Sequence, residues 1–315
     1  MSIPIINPFP GKNYNSYSEY LAKIFPFAIR KIPVNAGFTC PTRDGTKSFG
    51  GCTYCNNDSF NPYYGKMQKS VSGQIDEGIG FFSKKYKSEN YLVYFQAYTN
   101  TYGDFNEMKE IYSAALSRPE IKGIVIGTRP DCVNDEILDY LAQLSKQTYV
   151  AVEYGIESTH NSTLEVIKRG HLFEDSVKSI KETAERGINT GAHIILYLPG
   201  ETEDMMLKTA NRISELPVST LKIHQLQIVK GTVMAKQYKD NPGLFNLPGS
   251  DQYADFLVRF LERLNPGIII ERFLSETPPE LIIAPKWGGI RHGEFILTLQ
   301  ELMNKKQTYQ GRLFT

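Results

Sequence analysis

The sequence contains few cysteines and no long hydrophobic run. Four cysteines among 315 residues are too few for the disulfide framework of a small secreted domain, which depends on several bridges. The longest apolar segments, at residues 123–127 and 267–274, have the length of strands and fall short of the roughly 20 residues that a membrane helix needs. Residues 1–21 show no basic segment leading into an apolar one, so no signal peptide is predicted. We therefore expect a cytoplasmic protein without a membrane span.

The sequence also lacks an excess of charge of either sign. Thirty-five Lys and Arg residues face thirty-four Asp and Glu residues, which gives a net charge of +1. No field from the whole molecule would draw such a protein onto nucleic acid or another polyanion. A polyanion site, if one exists, has to be a local patch.

Short β-branched or aromatic runs alternate with segments of helical period, which predicts βαβ units and a parallel sheet. Helices are predicted near residues 70–87, 104–117, 134–146, 173–186 and 203–215, and strands at residues 30–36, 91–97, 121–128, 148–154, 189–197 and 220–228. The residues leave open a doubly wound sheet or an open partial barrel. In both, ligands bind at the carboxyl ends of the strands, where this sequence concentrates its Gly, Thr, Asn and Pro residues.

The chain is interpreted as three parts. Residues 1–29 are an N-terminal segment, residues 30–230 carry the repeated units, and residues 231–315 form a C-terminal extension in which the pattern changes. Within the extension, residues 276–295 are rich in Pro and Gly and resemble a loop that caps a substrate site.

Three cysteines lie close together in a polar loop after the first predicted strand. Cys40 and Cys52 are separated by eleven residues, and Cys52 and Cys55 by two. A structural zinc ion binds four ligands, commonly two close pairs, but the first histidine, His160, follows Cys55 by more than a hundred residues. Iron–sulfur clusters also normally bind four thiolates. The pattern favours a metal centre with one position open to another ligand, and a partial zinc ribbon is the alternative.

The segment that ends in Cys52-Thr53-Tyr54-Cys55 resembles the radical S-adenosylmethionine (SAM) enzymes. Most of these space their cysteines as C-x3-C-x2-C, and the wider first gap here is similar to that of the elongator-protein-3-like branch and its YhcC-like bacterial subfamily. Later strands carry further matches, namely RPD at 129–131, GIESTHNSTLEVIKRGH at 155–171 and HIILYLPGET at 193–202. The resemblance covers residues 25–230 and continues in part beyond.

The resemblance implies the fold and the cofactors. The fold would be α/β, a partial (β/α)6 barrel of radical SAM type with a C-terminal extension. Cys40, Cys52 and Cys55 would hold a 4Fe-4S cluster, and its fourth iron, left without a protein ligand, would bind SAM.

The resemblance also implies contacts to SAM. In the matching motifs, the position of Glu157 lies near the ribose and that of Arg169 near the carboxylate, while Tyr54 would offer its ring to the adenine. His193 begins the fifth-strand motif, at a position where relatives often have an acidic residue. The residues implied as SAM-binding are Tyr54, Gln96, Thr99, Asn100, Glu157, Arg169 and His193, of which Gln96, Thr99 and Asn100 stand where the superfamily usually binds the SAM amine.

The implied activity is cleavage of SAM to a 5′-deoxyadenosyl radical. Because the elongator subunit and the methylthiotransferases modify tRNA, tRNA is the implied substrate and a C5 substituent of the wobble uridine the implied target. The implied reductant is a flavodoxin or a ferredoxin-type protein. Two alternatives stay open: a radical SAM oxidoreductase that acts on a small metabolite or peptide, and a zinc-stapled RNA-binding module without catalysis.

Overall fold

The computed structural model describes residues 7–9, 11–59, 65, 69–86 and 88–315. The strands are β1 Ile29–Val34, β2 Asn90–Phe95, β3 Ile121–Thr128, β4 Tyr149–Glu157, β5 Asn189–Leu196, β6 Thr220–Gln225, β7 Ile228–Val229, β8 Ile269–Arg272 and β9 Ile282–Ala284. The helices are α1 Tyr17–Ile24, α2 Val71–Tyr86, α3 Phe105–Leu116, α4 Asp135–Ser145, α5 Asn161–Val166, α6 Phe173–Glu185, α7 Glu203–Ser214, α8 Val233–Asp240, α9 Ser250–Arg263 and α10 His292–Lys305.

Seven parallel strands form one curled sheet. Their order is β1-β2-β3-β4-β5-β6-β8, which follows the chain without a reversal. A doubly wound sheet reverses its strand order at a switch point, so this order selects the open barrel and confirms the fold class that the resemblance implied. Every predicted strand and helix of residues 30–230 is present, with ends that differ by a few residues.

The sheet has one strand more than the six expected. The seventh, β8, comes from the C-terminal extension and pairs in parallel with β6. It is short and is separated from β6 by β7, α8 and α9, so its spacing along the chain does not match that of the earlier units. The extension is therefore part of the barrel wall.

The two faces of each strand have different environments. Tyr91, Val93 and Phe95 of β2 face the helices and join the main hydrophobic core, whereas Leu92 and Tyr94 point to the barrel interior and join a smaller cluster. This is the two-residue alternation of a strand with both faces covered.

Charged side chains also point into the barrel. Lys31 of β1 lies 2.9 Å from the Glu153 carboxylate of β4 and 2.7 Å from that of Glu271 on β8. Lys222 of β6 lies 2.5 Å from Glu153. Burial opposes the ionisation of Glu153, but the two lysines outweigh it and hold its pKa well below the ordinary value. The network connects strands on opposite sides of the barrel.

The barrel is open between β1 and β8, and we call this edge the seam. The strand order of the sheet begins with β1 and ends with β8. Lys31 and Glu271 cross the seam as an ion pair whose side chains are only 15% and 10% exposed. Within the described residues, no helix is both long and apolar enough to cross a membrane.

Candidate active site

A cavity of about 230 Å³ lies at the carboxyl ends of the strands. This inner cavity is lined by residues that follow β1 to β6 in turn, as expected for the ligand-binding end of such a barrel. Cys40, Cys52 and Cys55 all lie on its wall. Of the residues implied as SAM-binding, it is also lined by Tyr54, Gln96, Thr99, Glu157, Arg169 and His193.

The loop that carries the three cysteines is attached to α2 at its start and is braced from within by Arg43. The Gln74 amide of α2 accepts from the Asn35 N–H and donates to its carbonyl, each at 2.8 Å. Arg43 donates from Nη2 to the Cys55 carbonyl at 3.1 Å. Gly51 has φ +79°, and a Cβ there would lie 2.9 Å from the Arg43 side chain. Glycine at this position thus allows the loop to turn tightly around Arg43.

The three thiols have different neighbours. The Cys40 sulfur lies 3.0 Å from Thr99 Oγ1, and Arg169 Nη1 lies 3.7 Å from the Cys52 sulfur. Burial raises the pKa of Cys40 and raises that of Cys55 to about 11. Both are therefore neutral thiols near pH 7 unless a metal displaces the proton, as metal ligation does.

Glu157 and Arg169 form an ion pair on the cavity wall. Glu157 Oε1 lies 3.6 Å from Arg169 Nη2, which also donates to the Gly155 carbonyl at 2.7 Å. Glu157 has φ +67°, and the pairing of β4 with β5 is irregular between Gly155 and Glu157. This bulge ends the regular alternation and accompanies the placement of Glu157 on the cavity wall.

His193 faces the barrel interior. Its Nε2 lies 2.9 Å from Glu153 Oε2, which connects the ring to the buried charge network. Asn100, in contrast, lies away from the inner cavity. Its side-chain amide donates to the carbonyls of Phe95, Ala97 and Gly127 at 2.8 to 3.1 Å. The structure therefore gives Asn100 the position of a buried residue that holds the loop after β2.

The sequence assigned no role to three charged residues of the inner wall, although the first of them, Arg129, lies in the RPD motif. Arg129 is 2% exposed and donates to Asp131 through Nε and Nη2 at 2.9 and 2.8 Å, while its buried Nη1 has no partner in the described chain. Glu153 and Lys222 also line the cavity. For Glu153 a signal exists, because it is a charged residue that follows the apolar run at residues 150–152 of β4.

A larger cavity of about 990 Å³ adjoins the inner one. This outer cavity lies along the seam and is lined by Lys31, by residues around β8 and by residues 285–292. Much of the segment 276–295, interpreted from sequence as a substrate-side cap, thus lies on its wall. His224 and Gln227 belong to the walls of both cavities.

The donor set fits a 4Fe-4S cluster. Within the described ranges, no three His, Cys, Asp or Glu side chains are grouped around a single ion position. The three thiols nevertheless lie on one cavity wall, and a cluster binds each thiolate at a separate iron. The adjoining wall offers the guanidinium of Arg129, with its unpartnered Nη1, to an anionic group.

Comparison with known proteins places the chain in a family. Residues 45–213 match the model of the radical SAM superfamily, and residues 218–302 match that of the radical SAM C-terminal domain. The chain is 34% identical to the uncharacterised protein YtqA of Bacillus subtilis, over 98% of this chain and 96% of YtqA. It is 33% identical to YhcC of Escherichia coli, over 88% of each chain.

More distant similarities extend to tRNA-related proteins. A tRNA uridine(34) acetyltransferase of Methanocaldococcus jannaschii is 28% identical over 56% of this chain and 32% of its own. The structure of Elp3 from Methanocaldococcus infernus superposes with a TM-score of 0.66 at 16% identity, covering 90% of this chain and 64% of that one, and so supports the fold. The chain therefore belongs to the radical SAM superfamily, together with YtqA and YhcC, and is an enzyme whose cofactors are a 4Fe-4S cluster and SAM.

Proposed function

We propose that the protein modifies a base of tRNA. In this proposal Cys40, Cys52 and Cys55 hold the cluster, and the inner-cavity residues that the sequence implies hold SAM. When bound, the cluster supplies the electron that cleaves SAM to give a 5′-deoxyadenosyl radical. A flavodoxin or a ferredoxin-type protein is the proposed source of that electron.

The observation that carries the proposal is the outer cavity and its charge. At about 990 Å³ it lies at the upper end of the range of small-molecule sites, large enough for a nucleotide. Lys286 and Arg291 are exposed on its wall and form no ion pair within the described chain. Such cations suit the phosphates that flank a base inserted into the cavity. Lys286 and Arg291 thus provide the local positive patch that a chain with a net charge near zero needs in order to bind RNA.

The residues of the chain would position SAM and keep water away from it. Tyr54 lies on the inner wall beside the cysteines, where its ring can pack on the adenine. Glu157 would accept from the ribose hydroxyls, and Arg169 would pair with the SAM carboxylate. A radical abstracts hydrogen from most C–H groups, so the enclosed wall protects it from unwanted reactions.

The distant relatives suggest the kind of base. The tRNA uridine(34) acetyltransferase is named for uridine 34, and a 2-methylthio-N6-dimethylallyladenosine synthase of Thermotoga petrophila is 22% identical over 82% of this chain. Beyond the cluster ligands this sequence has one cysteine, Cys132, too few thiolates for a second cluster. We therefore favour a change to an existing C5 substituent of the wobble uridine.

Nucleoside analysis tests the proposal. Total tRNA from a deletion strain, from the wild type and from the deletion strain that expresses the Cys52→Ala variant is digested and analysed by mass spectrometry. We expect one modified nucleoside to be missing from both mutant samples and a precursor to accumulate. An unchanged nucleoside profile would instead favour a small metabolite or peptide as the substrate.

Direct binding provides a second test. Wild-type holoenzyme should bind bulk tRNA from the deletion strain, and the affinity should fall as salt is raised. Changing Lys286 and Arg291 together to Ala should weaken binding and reduce the salt dependence. Absence of tRNA binding at low salt would contradict the proposal.

A further inference from the structure

The inner and outer cavities meet at a junction, formed by residues that line both. These residues include His224 and Gln225 at the end of β6, Gln227 just after it, and Ser275 after β8. If the substrate enters through the outer cavity and SAM occupies the inner one, the reacting group of the substrate lies at this junction. The inference below therefore rests on the proposed function and concerns what the junction can recognise.

The hydrogen bonds of His224 determine which ring nitrogen carries the proton. Ser275 Oγ donates to the Gln225 carbonyl at 3.1 Å, and His224 Nδ1 lies 3.1 Å from the same Oγ. A hydroxyl has one proton, so Nδ1 must be the donor to Ser275. Nε2 then carries no proton and is a hydrogen-bond acceptor. Burial and the nearby His193 lower the pKa of His224 well below its ordinary value, which keeps the ring neutral.

Gln227 contributes an unused acceptor to the junction. Its Oε1 is buried and has no hydrogen-bond partner in the part of the chain described here. A buried polar atom without a partner destabilises the folded protein, and a substrate donor would remove that cost. The same amide also has an N–H group, so it can donate and accept side by side.

The cations at the junction are already paired. Lys222 lies 2.5 Å from Glu153 and 3.3 Å from Glu271, and Arg272 lies 3.3 Å from Glu276. These carboxylates offset the positive charges, so the junction suits an uncharged polar group better than a phosphate. Phosphates would bind further out, near Lys286 and Arg291.

We propose that Gln227 and His224 recognise a substituted pyrimidine base at two places. Gln227 pairs with the imide edge, accepting from the ring N–H and donating to the adjacent carbonyl. His224 Nε2 accepts from an O–H or N–H of the polar substituent on the same base. The acceptors thus select a uracil-type base whose substituent carries a hydrogen-bond donor.

Four stem–loop RNAs that differ at one nucleotide test this proposal. One pair places uridine or N3-methyluridine at the wobble position, which replaces the imide N–H with an N-methyl group. The other pair places 5-hydroxymethyluridine or 5-methyluridine there, which removes only the substituent O–H. Dissociation constants are measured with wild-type holoenzyme by fluorescence anisotropy. We expect each missing donor to weaken binding about tenfold, the effect of one buried hydrogen bond.

Variants assign each preference to a residue. Gln227→Leu should abolish only the preference for uridine over N3-methyluridine. His224→Asn keeps a side-chain amide near Ser275 but removes the Nε2 acceptor, and should abolish only the preference for the hydroxymethyl group. His224→Gln places an amide near the Nε2 position and should restore part of it. Gln147→Leu, an exposed change between α4 and β4 at the opposite end of the barrel, should change neither.

The outcomes separate this inference from the proposed function. If wild-type holoenzyme binds all four RNAs equally well, the recognition model is wrong while tRNA remains the substrate. If the preferences exist but survive in Gln227→Leu and His224→Asn, other residues read the base and the assignment is wrong. If no stem–loop and no tRNA binds at low salt, the proposed function itself fails. The comparison of RNAs on wild-type protein does not depend on whether a variant folds.

Discussion

Arg169 Nη2 lies 3.6 Å from Glu157 Oε1, so an ion pair joins two residues of the fourth-strand motif on the wall of the inner cavity. Both side chains are largely buried, at 8% and 12% exposed. The same guanidinium reaches the Cys52 sulfur through Nη1, at 3.7 Å. The Arg169 side chain thus connects the implied SAM-binding residues to the implied cluster ligands. A substitution at Glu157 should therefore affect the surroundings of Cys52, and a substitution at Cys52 those of Glu157.

The cysteines give the first prediction. Single changes Cys40→Ala, Cys52→Ala and Cys55→Ala should each abolish binding of a stable cluster, because the donor set has no spare thiolate. Iron and sulfide content after anaerobic reconstitution measures this, together with 5′-deoxyadenosine formation after dithionite reduction. Cys132→Ala is the matched control and should keep full iron and sulfide, since Cys132 does not line the inner cavity. Full cluster content in any of the first three variants would contradict the ligand assignment.

A methyl group at Gly155 should disturb the Glu157–Arg169 pair. A Cβ at Gly155 would lie 2.6 Å from Glu157 Oε1 and 2.7 Å from Arg169 Nη2, so both side chains must move. We expect Gly155→Ala to weaken SAM binding about tenfold or more, measured by calorimetry on the reconstituted protein. Gly80→Ala in α2 is the control, because a Cβ there meets nothing within 4 Å and should only favour the helix. Equal SAM affinity in the two variants would show that the pair does not position SAM.

Glu201 should make stability depend on pH. Burial raises its pKa to about 7 from an ordinary 4.5, although Ser158 donates a hydrogen bond to the carboxylate. Below pH 4.5 the residue is protonated in both the folded and the unfolded chain. As pH rises towards 7, the unfolded chain loses the proton first, so the free energy of unfolding falls, by up to about 3 kcal/mol, and levels off above pH 7.

The Glu201→Gln variant isolates this effect. Urea unfolding of both proteins between pH 5 and 8 should show the wild type losing stability relative to the variant as pH rises. A difference between the two proteins that stays constant with pH would mean that Glu201 titrates normally in the folded state.

The ion pair across the seam should be strongly coupled. Lys31→Met or Glu271→Gln alone removes one charge from a buried network and leaves it unbalanced, although Glu153 and Lys222 remain as second partners, and should cost about 3 kcal/mol. The double variant should cost clearly less than the sum of the two, which a double-mutant cycle measures by urea unfolding. The exposed pair Lys69–Glu77, at 37% and 41% exposed, provides the control cycle, with an expected coupling of about 0.5 kcal/mol or less. Similar coupling in both cycles would contradict the structural importance of the seam pair.

The sequence predicted the barrel units well because strands with two covered faces and amphipathic helices differ in period. The cysteine loop and the motif that holds Glu157 and Arg169 could be singled out because both are local patterns, and their roles at the site stay predictions. The pattern at residues 267–274 is typical of a further strand, and β8 lies there, but the sequence did not predict its place in the sheet, which depends on pairing with β6 across the intervening helices.

The direction in which a side chain points was harder to predict from the sequence than the strand end or loop to which its residue belongs. Asn100 stands at the expected strand end, yet the left-handed backbone at Ala97 and Tyr98, with φ +59° and +64°, changes the course of the loop before it. Its amide then bonds to three backbone carbonyls. The junction of His224 and Gln227 depends on how the extension folds back along the seam, which no local pattern encodes.

The way in which the barrel closes affects the size of its side opening. Neighbouring strands joined by a hydrogen-bond ladder are held about 4.8 Å apart, and such a spacing would leave no passage between them. At the seam, the Ile270 N–H of β8 instead donates to the Asn15 carbonyl at 2.7 Å, and Lys31 of β1 reaches Glu271 of β8 as an ion pair. The free edge of β8 is therefore held by the residues before α1 and by one ion pair, so a shorter homologue at Lys31 or Glu271 would loosen the closure without removing a strand from the sheet.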